Sequence, residues 1–188
     1  MVETLNAQTS GWLLPLLVVL LLAVIAFWVY YRRKQAGGLD AVLNEISYER
    51  LDALVVPNAD EGEILVDHLL LTSQGLLILE IKDVQGVVFG GDKLKDWTVI
   101  SDTRRYTFSN PQPGLLDRIA AVRHIVRDVP VSGRVLFPDV ADFTKGKPDL
   151  VSTLAELREE FAENDKSAVR FKIEAFKPHW ELVRKLKA

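Results

Sequence analysis

Asp67, Glu80 and Lys82 are the residues whose types and spacing suggest chemistry. They stand in two stretches, 63–72 and 75–82, that are otherwise rich in branched apolar residues. Charged side chains in such surroundings are costly unless they bind something. Carboxylate oxygens are the ligands that hard divalent cations prefer. The pattern therefore predicts a cation site at the two carboxylates, with the lysine ammonium beside it.

The two stretches that must position these residues are typical of one β-hairpin. Thr, Ser, Gln and Gly fill positions 72–75 between them and form a turn signal. A turn centred on 73–74 puts Asp67 directly opposite Glu80, with Cβ atoms roughly 5 Å apart, and strict alternation puts Lys82 on the same face. Opposed carboxylates repel each other, which is a second reason to expect a cation. Both faces are apolar, so we expect a sheet covered on both sides.

The rest of the chain shows helical and strand patterns in turn, which predicts an α/β fold with a mixed β-sheet core and flanking helices. A Thr153 and Glu156 pair gives a capping-box signature for one helix, and Pro178 suits the first turn of another. The predicted elements are a helix at 39–46, an edge strand at 48–56, strands at 87–89, 97–100, 106–108 and 133–138, and helices after 111, from 153 to about 163 and from about 177 to 187.

Residues 12–31 form an apolar segment without a charged residue. About 20 residues at a rise of 1.5 Å cover a hydrocarbon core of about 30 Å, so the segment predicts one N-terminal transmembrane helix. It is too long for a signal peptide and no small-X-small cleavage site follows it. The basic linker, 32–38, begins Arg-Arg-Lys, so the positive-inside rule predicts a single-pass protein of the plasma (inner) membrane. Residues 1–11 would be extracytoplasmic, and 39–188 would form a cytoplasmic domain.

The hairpin and its surroundings resemble the PD-(D/E)XK nuclease superfamily and, more narrowly, the nuclease-related domain (NERD). The resemblance covers roughly 39–161, the core of the predicted domain, with 162–188 as a C-terminal helical extension. It implies a restriction-endonuclease-like fold. It rests on Asp67-His68, on Gly75 followed by Leu-Leu-Ile-Leu-Glu-Ile-Lys, on Gly86, on Trp97, on Asn110-Pro111 with the helix after it, and on 135–138.

The resemblance also implies a role for each residue of the site. Asp67 and Glu80 would hold Mg²⁺ or Mn²⁺ together with a backbone carbonyl such as that of Ile81. The cation would polarise a phosphoryl oxygen and lower the pKa of a bound water, and Lys82 would orient that water or offset charge in the transition state. The alternative is a structural charge cluster of Asp67, Glu80 and Lys82.

Two positions depart from the family pattern. Related domains carry a Gly-Glu pair early in the first helix, whose carboxylate supports the metal site. This chain has Gly37-Gly38 there, which leaves Asp40 or Glu45 as substitutes. Related domains also tend to have Gln where Gly114 stands, and Gln112 is the nearby residue of that type. Each departure weakens the expectation of full activity.

Other conspicuous side chains have simpler interpretations. Strict alternation places His68 on the face opposite Asp67, with Ile64 and Val66, as a satisfied core histidine. Trp97 is expected to pack against the sheet, and the side-chain oxygen of Asn110 to cap a helix. The net charge is −3, so the whole chain carries no general signal for nucleic acid. The basic residues are expected to lie on solvated helix faces; they include Arg104, Arg105, Arg118, Arg123 and Arg127.

Two functions remain open from the sequence. One is a membrane-anchored, metal-dependent nuclease that hydrolyses phosphodiester bonds of DNA or RNA. The other is a catalytically degenerate member of the same fold that binds nucleic acid or a protein partner at the lipid bilayer. A carboxylate from Asp40 or Glu45 that reached Asp67 and Glu80 would favour catalysis.

Overall fold

A computed structural model describes residues 15, 17–27, 38–57, 62–138, 141–144, 146–162 and 166–187. The chain divides into two compact units, Met1–Asp40 and Ala41–Ala188. In the first unit, residues 17–27 are helical, and their large apolar side chains are exposed. Among the described residues, no helix combines the length and apolar character that crossing a membrane requires. The other residues of the predicted span and the basic residues 32–34 lie outside the described residues.

From residue 38 onward, the chain alternates strands and helices, as the sequence predicts. In chain order its elements are α1 (38–46), β1 (Glu49–Pro57), β2 (Glu63–Thr72), β3 (Gly75–Ile81), β4 (Gly86–Phe89), β5 (Asp96–Ile100), β6 (Arg105–Ser109), α2 (Gln112–Ile125), β7 (Val131–Phe137), β8 (Ala141–Asp142), β9 (Val151–Thr153), α3 (Leu154–Phe161), α4 (Lys166–Arg184) and a 3-10 turn (Lys185–Lys187).

A five-stranded mixed sheet with the order β1-β2-β3-β7-β9 carries the predicted hairpin. β1, β2 and β3 are antiparallel, whereas β7 and β9 run parallel to their neighbours. Leu71 pairs with Leu76 across the turn, which confirms the predicted register. β1 lies at the edge of the sheet, also as predicted. The mixed sheet arises because β3 and β7 are joined by a long crossover that contains α2.

Helices cover both faces of this sheet. Leu115, Ile119 and Val122 of α2 belong to the same core cluster as Leu69, Leu71, Leu76 and Ile78 of the hairpin. Gly133 on β7 allows close contact between α2 and the sheet, because a Cβ at this position would lie 2.8 Å from methyl carbons of Leu115 and Ile119. Residues of the alternate positions, such as Leu77 and Leu79, are equally buried. α3 lies over that second face, since Glu160 forms an ion pair with Arg134, which is paired with Leu79.

A second sheet, which the sequence did not separate from the first, has the order β6-β5-β4-β8. Trp97 of β5 is fully buried, and its indole N–H donates to the carbonyl of Gly91 at 3.1 Å. Its ring stacks on Phe137 of β7 with centroids 6.4 Å apart, so the indole joins the two sheets. Trp97 therefore packs as predicted. Gly90 makes this possible, because a Cβ there would lie 2.7 Å from the Trp97 ring.

The last helix is longer than predicted. Pro178 was expected in its first turn, but α4 starts at Lys166 and Pro178 lies inside it. The apolar positions Ile173, Trp180 and Val183 continue one buried stripe through the proline and hold the helix together. The buried Trp180 indole also donates to Glu49 Oε2 at 2.7 Å, so α4 is tied to the start of β1. The strands β8 and β9 escaped prediction because two or three residues show no periodicity.

Candidate functional site

Asp67 and Glu80 lie on neighbouring strands, one step beyond the last paired residues of the hairpin. The β2–β3 ladder is paired from Thr72 and Gly75 up to His68 and Leu79, and Asp67 and Glu80 are the next residues in that register. Glu80 is also paired with Val135 of the parallel strand β7. Glu80 therefore belongs to a central strand, whereas Asp67 lies where the β2–β3 ladder ends.

Both oxygens of the Glu80 carboxylate contact a cationic side chain. Lys82 Nζ lies 2.9 Å from Oε1, and Arg118 Nη1 lies 3.4 Å from Oε2. Glu80 is 7% exposed, and a carboxylate as buried as this one requires partners of opposite charge. The predicted proximity of Glu80 and Lys82 is confirmed, and Arg118 is an addition that the sequence did not indicate.

Asp67 occupies a break in the regular alternation of the sheet. On β2, Val66 belongs to the same core cluster as Leu69 and Leu71, so strict alternation fails between positions 66 and 69. The prediction that Val66 lies on the face opposite Leu69 is therefore wrong. Ile64, predicted on that face with Val66, also packs against this cluster. Asp67 itself is half-buried, and within the described part of the chain no hydrogen bond or ion pair joins its carboxylate to another residue.

The neighbouring strand shows the cause of this break. Ala53 of β1 has φ 53°, in the left-handed region that costs a residue with a Cβ about 1–2 kcal/mol. On either side of it, Asp52 pairs with His68 and Leu54 pairs with Val66, so the register is unchanged through the break. The buried residues of β1 shift from Leu51 to Leu54 at the same point. The backbone is thus strained directly opposite Asp67.

Arg118 reaches the site from α2. Its Nε donates to the carbonyl of Leu65 at 2.7 Å, and its Nη1 contacts Glu80. The expectation that Arg118 lies on a solvated helix face is wrong. Gly114 stands one helical turn earlier, and a Cβ at that position would lie 3.0 Å from Arg118 Nη1. A glycine inside a helix, four residues before an arginine, was the available signal.

The start of α2 is fixed by side-chain hydrogen bonds. The N-cap of α2 is Pro111 and not Asn110, although Asn110 Oδ1 accepts from the N–H of Gln112, the first helical residue, at 2.9 Å. Asn110 Nδ2 donates to the carbonyl of Leu94. Gln112 Nε2 donates to Asp92 Oδ1 at 2.8 Å, and this hydrogen bond holds the pKa of Asp92 below its ordinary value. These contacts set the direction in which α2 leaves, and hence the reach of Arg118.

The third carboxylate expected from the family pattern is not supplied by Glu45. Glu45 Oε2 pairs with Arg158 Nε of α3 at 2.8 Å. Within the described ranges, no group of three or more His, Cys, Asp or Glu side chains is arranged to hold a metal ion. His68 donates or accepts through Nδ1 at 2.7 Å from Asp52 Oδ1, so it is satisfied as predicted, although it is half-exposed and not in the core.

The carboxylate oxygens of Asp67 and Glu80 nevertheless suit a magnesium ion as ligands. Mg²⁺ usually keeps several waters and needs only one or two carboxylates of the protein together with substrate phosphate oxygens. Within the described part of the chain, no hydrogen bond or ion pair engages the Asp67 carboxylate, and pairing with β7 fixes the backbone of Glu80 on the neighbouring strand. The residues present therefore fit a hydrated hard cation, with the backbone carbonyl of Ile81 as a further oxygen.

Comparison with known proteins gives one family. A family model described as the nuclease-related domain (NERD) matches residues 35–138, which is more than half of the 188 residues. The matched range contains Asp67, Glu80, Lys82 and Arg118. No curated protein matches the chain, and no solved structure matches it.

Proposed function

The chain belongs to the nuclease-related domain (NERD) family, and on this premise we propose that it is a membrane-anchored nuclease that hydrolyses phosphodiester bonds with a divalent cation. A nucleic-acid partner, DNA or RNA, is consistent with the family. The observation that carries the proposal is the buried Glu80 on a central strand, with Lys82 Nζ 2.9 Å from its carboxylate. Asp67 lies on the neighbouring strand, one step beyond the paired part of the β2–β3 ladder.

Asp67 and Glu80 would hold Mg²⁺ or Mn²⁺ with the carbonyl of Ile81. When bound, such a cation supplies Lewis-acid polarisation of a phosphoryl oxygen and a water of lowered pKa. The protein contributes positioning. Glu80 is fixed by pairing with β7, and the ion pair at 2.9 Å holds Lys82 Nζ beside it, where the ammonium can orient a water or offset negative charge.

The proposed anchor is supported by the first unit. Residues 12–31 carry no charge, and a basic triplet follows. The helical residues 17–27 expose apolar side chains, for example Leu17 at 64% and Phe27 at 69%. We place the N-terminus outside and the nuclease-related domain in the cytoplasm, at the inner membrane. A reporter fused to the C-terminus tests this topology, and periplasmic reporter activity would contradict it.

Cleavage by the full chain in detergent micelles tests the proposed activity. Single-stranded and duplex DNA and RNA are incubated with Mg²⁺, Mn²⁺ or a chelator. We expect cleavage with a cation, and a loss of about a hundredfold or more in Asp67→Ala and Lys82→Ala. Asp128→Ala, a change of an exposed acid in the turn after α2, is the matched control. Activity that survives both site substitutions would exclude this site.

The non-catalytic alternative is favoured by one specific observation. Glu80 is already paired with Lys82 and Arg118 of the same chain, and Glu45, one of the two candidate substitutes for the family Glu, is paired with Arg158. A degenerate member would bind nucleic acid or a protein partner at the bilayer. Such a member would bind nucleic acid without cleaving it, whichever cation is present. Lys82 would then have no catalytic role.

A further inference from the structure

The two contacts of the Arg118 guanidinium differ in quality. Nε donates to the Leu65 carbonyl at 2.7 Å, a short hydrogen bond, whereas Nη1 is 3.4 Å from Glu80 Oε2, beyond the usual range for N–H···O. Leu65 is on β2, two residues before Asp67. The guanidinium is thus anchored at the backbone of β2 and only loosely engaged with the Glu80 carboxylate.

The charges around Glu80 balance without a metal. Asp67 and Glu80 contribute two negative charges, and Lys82 and Arg118 contribute two positive ones. A divalent cation at the two acids would raise the local charge by two and would face Arg118 at short range. Half-buried like charges at such distances repel strongly, because solvent screens them poorly.

We propose that Arg118 is a substrate-binding residue of this site, with two alternating partners. It neutralises Glu80 and competes with a divalent cation for Oε2 while no substrate is bound. When a cation takes Glu80, the guanidinium stays anchored at the Leu65 carbonyl and donates to a phosphate oxygen of the nucleic acid. The proposal rests on the proposed function, and it explains why an arginine lies at the metal-facing acid of a nuclease-related domain.

Gly114 provides the space for this arrangement. A Cβ at position 114 would lie 3.0 Å from Arg118 Nη1, which is closer than side-chain contacts normally come. A longer side chain there would push the guanidinium away from Glu80. Gly114→Gln is therefore a second way to weaken the contact between Arg118 and Glu80, and it leaves the charge of Arg118 in place.

Mn²⁺ binding to the full chain in detergent, followed by electron paramagnetic resonance of the free ion, tests the competition. We expect Arg118→Met to bind Mn²⁺ about tenfold more tightly than the wild type, because a cation near the site is removed. Arg118→Lys should restore most of the competition, and Gly114→Gln should also tighten binding. A merely structural role of Arg118 predicts equal or weaker Mn²⁺ binding in Arg118→Met, and that result would overturn the proposal.

Arg123→Met is the matched control. Arg123 lies on the same helix and donates to the Val131 carbonyl at 2.7 Å, the same type of backbone contact, while no carboxylate of the described residues contacts it. Its loss should leave the Mn²⁺ dissociation constant unchanged. If Arg123→Met changed the Mn²⁺ dissociation constant as much as Arg118→Met does, the effect would come from the general positive charge of the helix. That result would overturn the proposal.

The second partner is tested with short single-stranded DNA and RNA oligonucleotides. In a Lys82→Ala background, which prevents cleavage, we expect Arg118→Met to weaken oligonucleotide binding about tenfold in saturating Mn²⁺, because one charged phosphate contact is lost. Cation and nucleic-acid affinities thus change in opposite directions. Unchanged oligonucleotide affinity with tighter Mn²⁺ binding would remove the phosphate role.

Failure of this inference can be distinguished from failure of the proposed function. If Glu80→Gln binds Mn²⁺ as well as the wild type does, the cation site itself is absent and the proposed function fails. If Glu80→Gln abolishes Mn²⁺ binding while Arg118→Met leaves it unchanged, the site stands and only the role of Arg118 falls.

Discussion

Glu45 Oε2 lies 2.8 Å from Arg158 Nε, so this carboxylate joins α1 to α3 and does not complete the site at Asp67 and Glu80. Both partners are about half exposed, and such surface ion pairs contribute about 0–1 kcal/mol. The pair is therefore dispensable for the fold. A cation at the site would therefore not have Glu45 as a ligand, and would rely on Asp67, Glu80, the Ile81 carbonyl and oxygens from water and substrate.

Glu45→Gln tests this conclusion. We expect cleavage within twofold or so of the wild type and a loss of stability below about 1 kcal/mol. Thermal unfolding and the cleavage assay are measured on the same preparation. A loss of activity comparable to that of Asp67→Ala, without a loss of stability, would show that Glu45 is a third acid of the site after all.

Gly90→Ala should destabilise the second sheet. The added Cβ would lie 2.7 Å from the Trp97 ring, which is buried against Phe137, so the ring or the strand must shift. Overpacking of this kind costs about 1–3 kcal/mol. Gly91→Ala is the neighbouring control, because its Cβ would only contact Leu94 at 3.4 Å. Equal unfolding temperatures for the two variants would contradict the role assigned to Gly90.

Ala53→Gly should stabilise the protein or leave its stability unchanged. Glycine adopts φ 53° without the penalty of about 1–2 kcal/mol that alanine incurs there, and this gain offsets the flexibility that glycine adds to the unfolded chain. The same substitution at Ala141 of β8 should destabilise by about 0.5–1 kcal/mol. Unfolding midpoints in denaturant give the comparison. A loss at position 53 as large as that at position 141 would mean that Ala53 is not strained.

Glu156 predicts a sensitivity to acid. Hydrogen bonds from Lys147 and from the Thr153 backbone lower its pKa below the ordinary 4.5. Because the folded pKa is depressed, the stabilisation is present above pH 4.5 and is lost as the pH falls through the folded pKa. We expect Glu156→Gln to be less stable than the wild type at neutral pH and to match it in acid. Unfolding temperatures over this pH range measure the difference, and a constant difference would contradict the prediction.

The sequence predicted the hairpin well because its physics is local. A turn at 73–74 and two apolar runs determine the register by counting, and the observed pairs follow that count up to His68 and Leu79. The capping box at Thr153 is likewise local, and both of its hydrogen bonds are present. Structural features that depend on residues a few positions apart can be inferred from the order of residues in the sequence alone.

Arg118 and Ala53 show where that inference fails. Arg118 contacts Glu80 across 38 positions of sequence, and the direction of its side chain depends on how α2 packs on the sheet. Alanine is not a residue type that signals a left-handed backbone. The strain at Ala53 nevertheless shifts the alternation of side chains between the two faces of the sheet, on which the predicted placement of Asp67 depended. The prediction that Pro178 lies in the first turn of the last helix failed for a related reason. Burial of Trp180 and Val183 in the tertiary structure outweighed the usual preference of proline for the start of a helix.

The hydrogen bond from the Trp180 indole to Glu49 also bears on biosynthesis. Its two partners are separated by 131 positions, so this contact can form only after α4 has left the ribosome. Until then, the core cluster lacks Ile173, Trp180 and Val183 of α4. A nascent chain arrested shortly before Trp180 should therefore be digested by protease, while one extended far enough to release α4 should resist it.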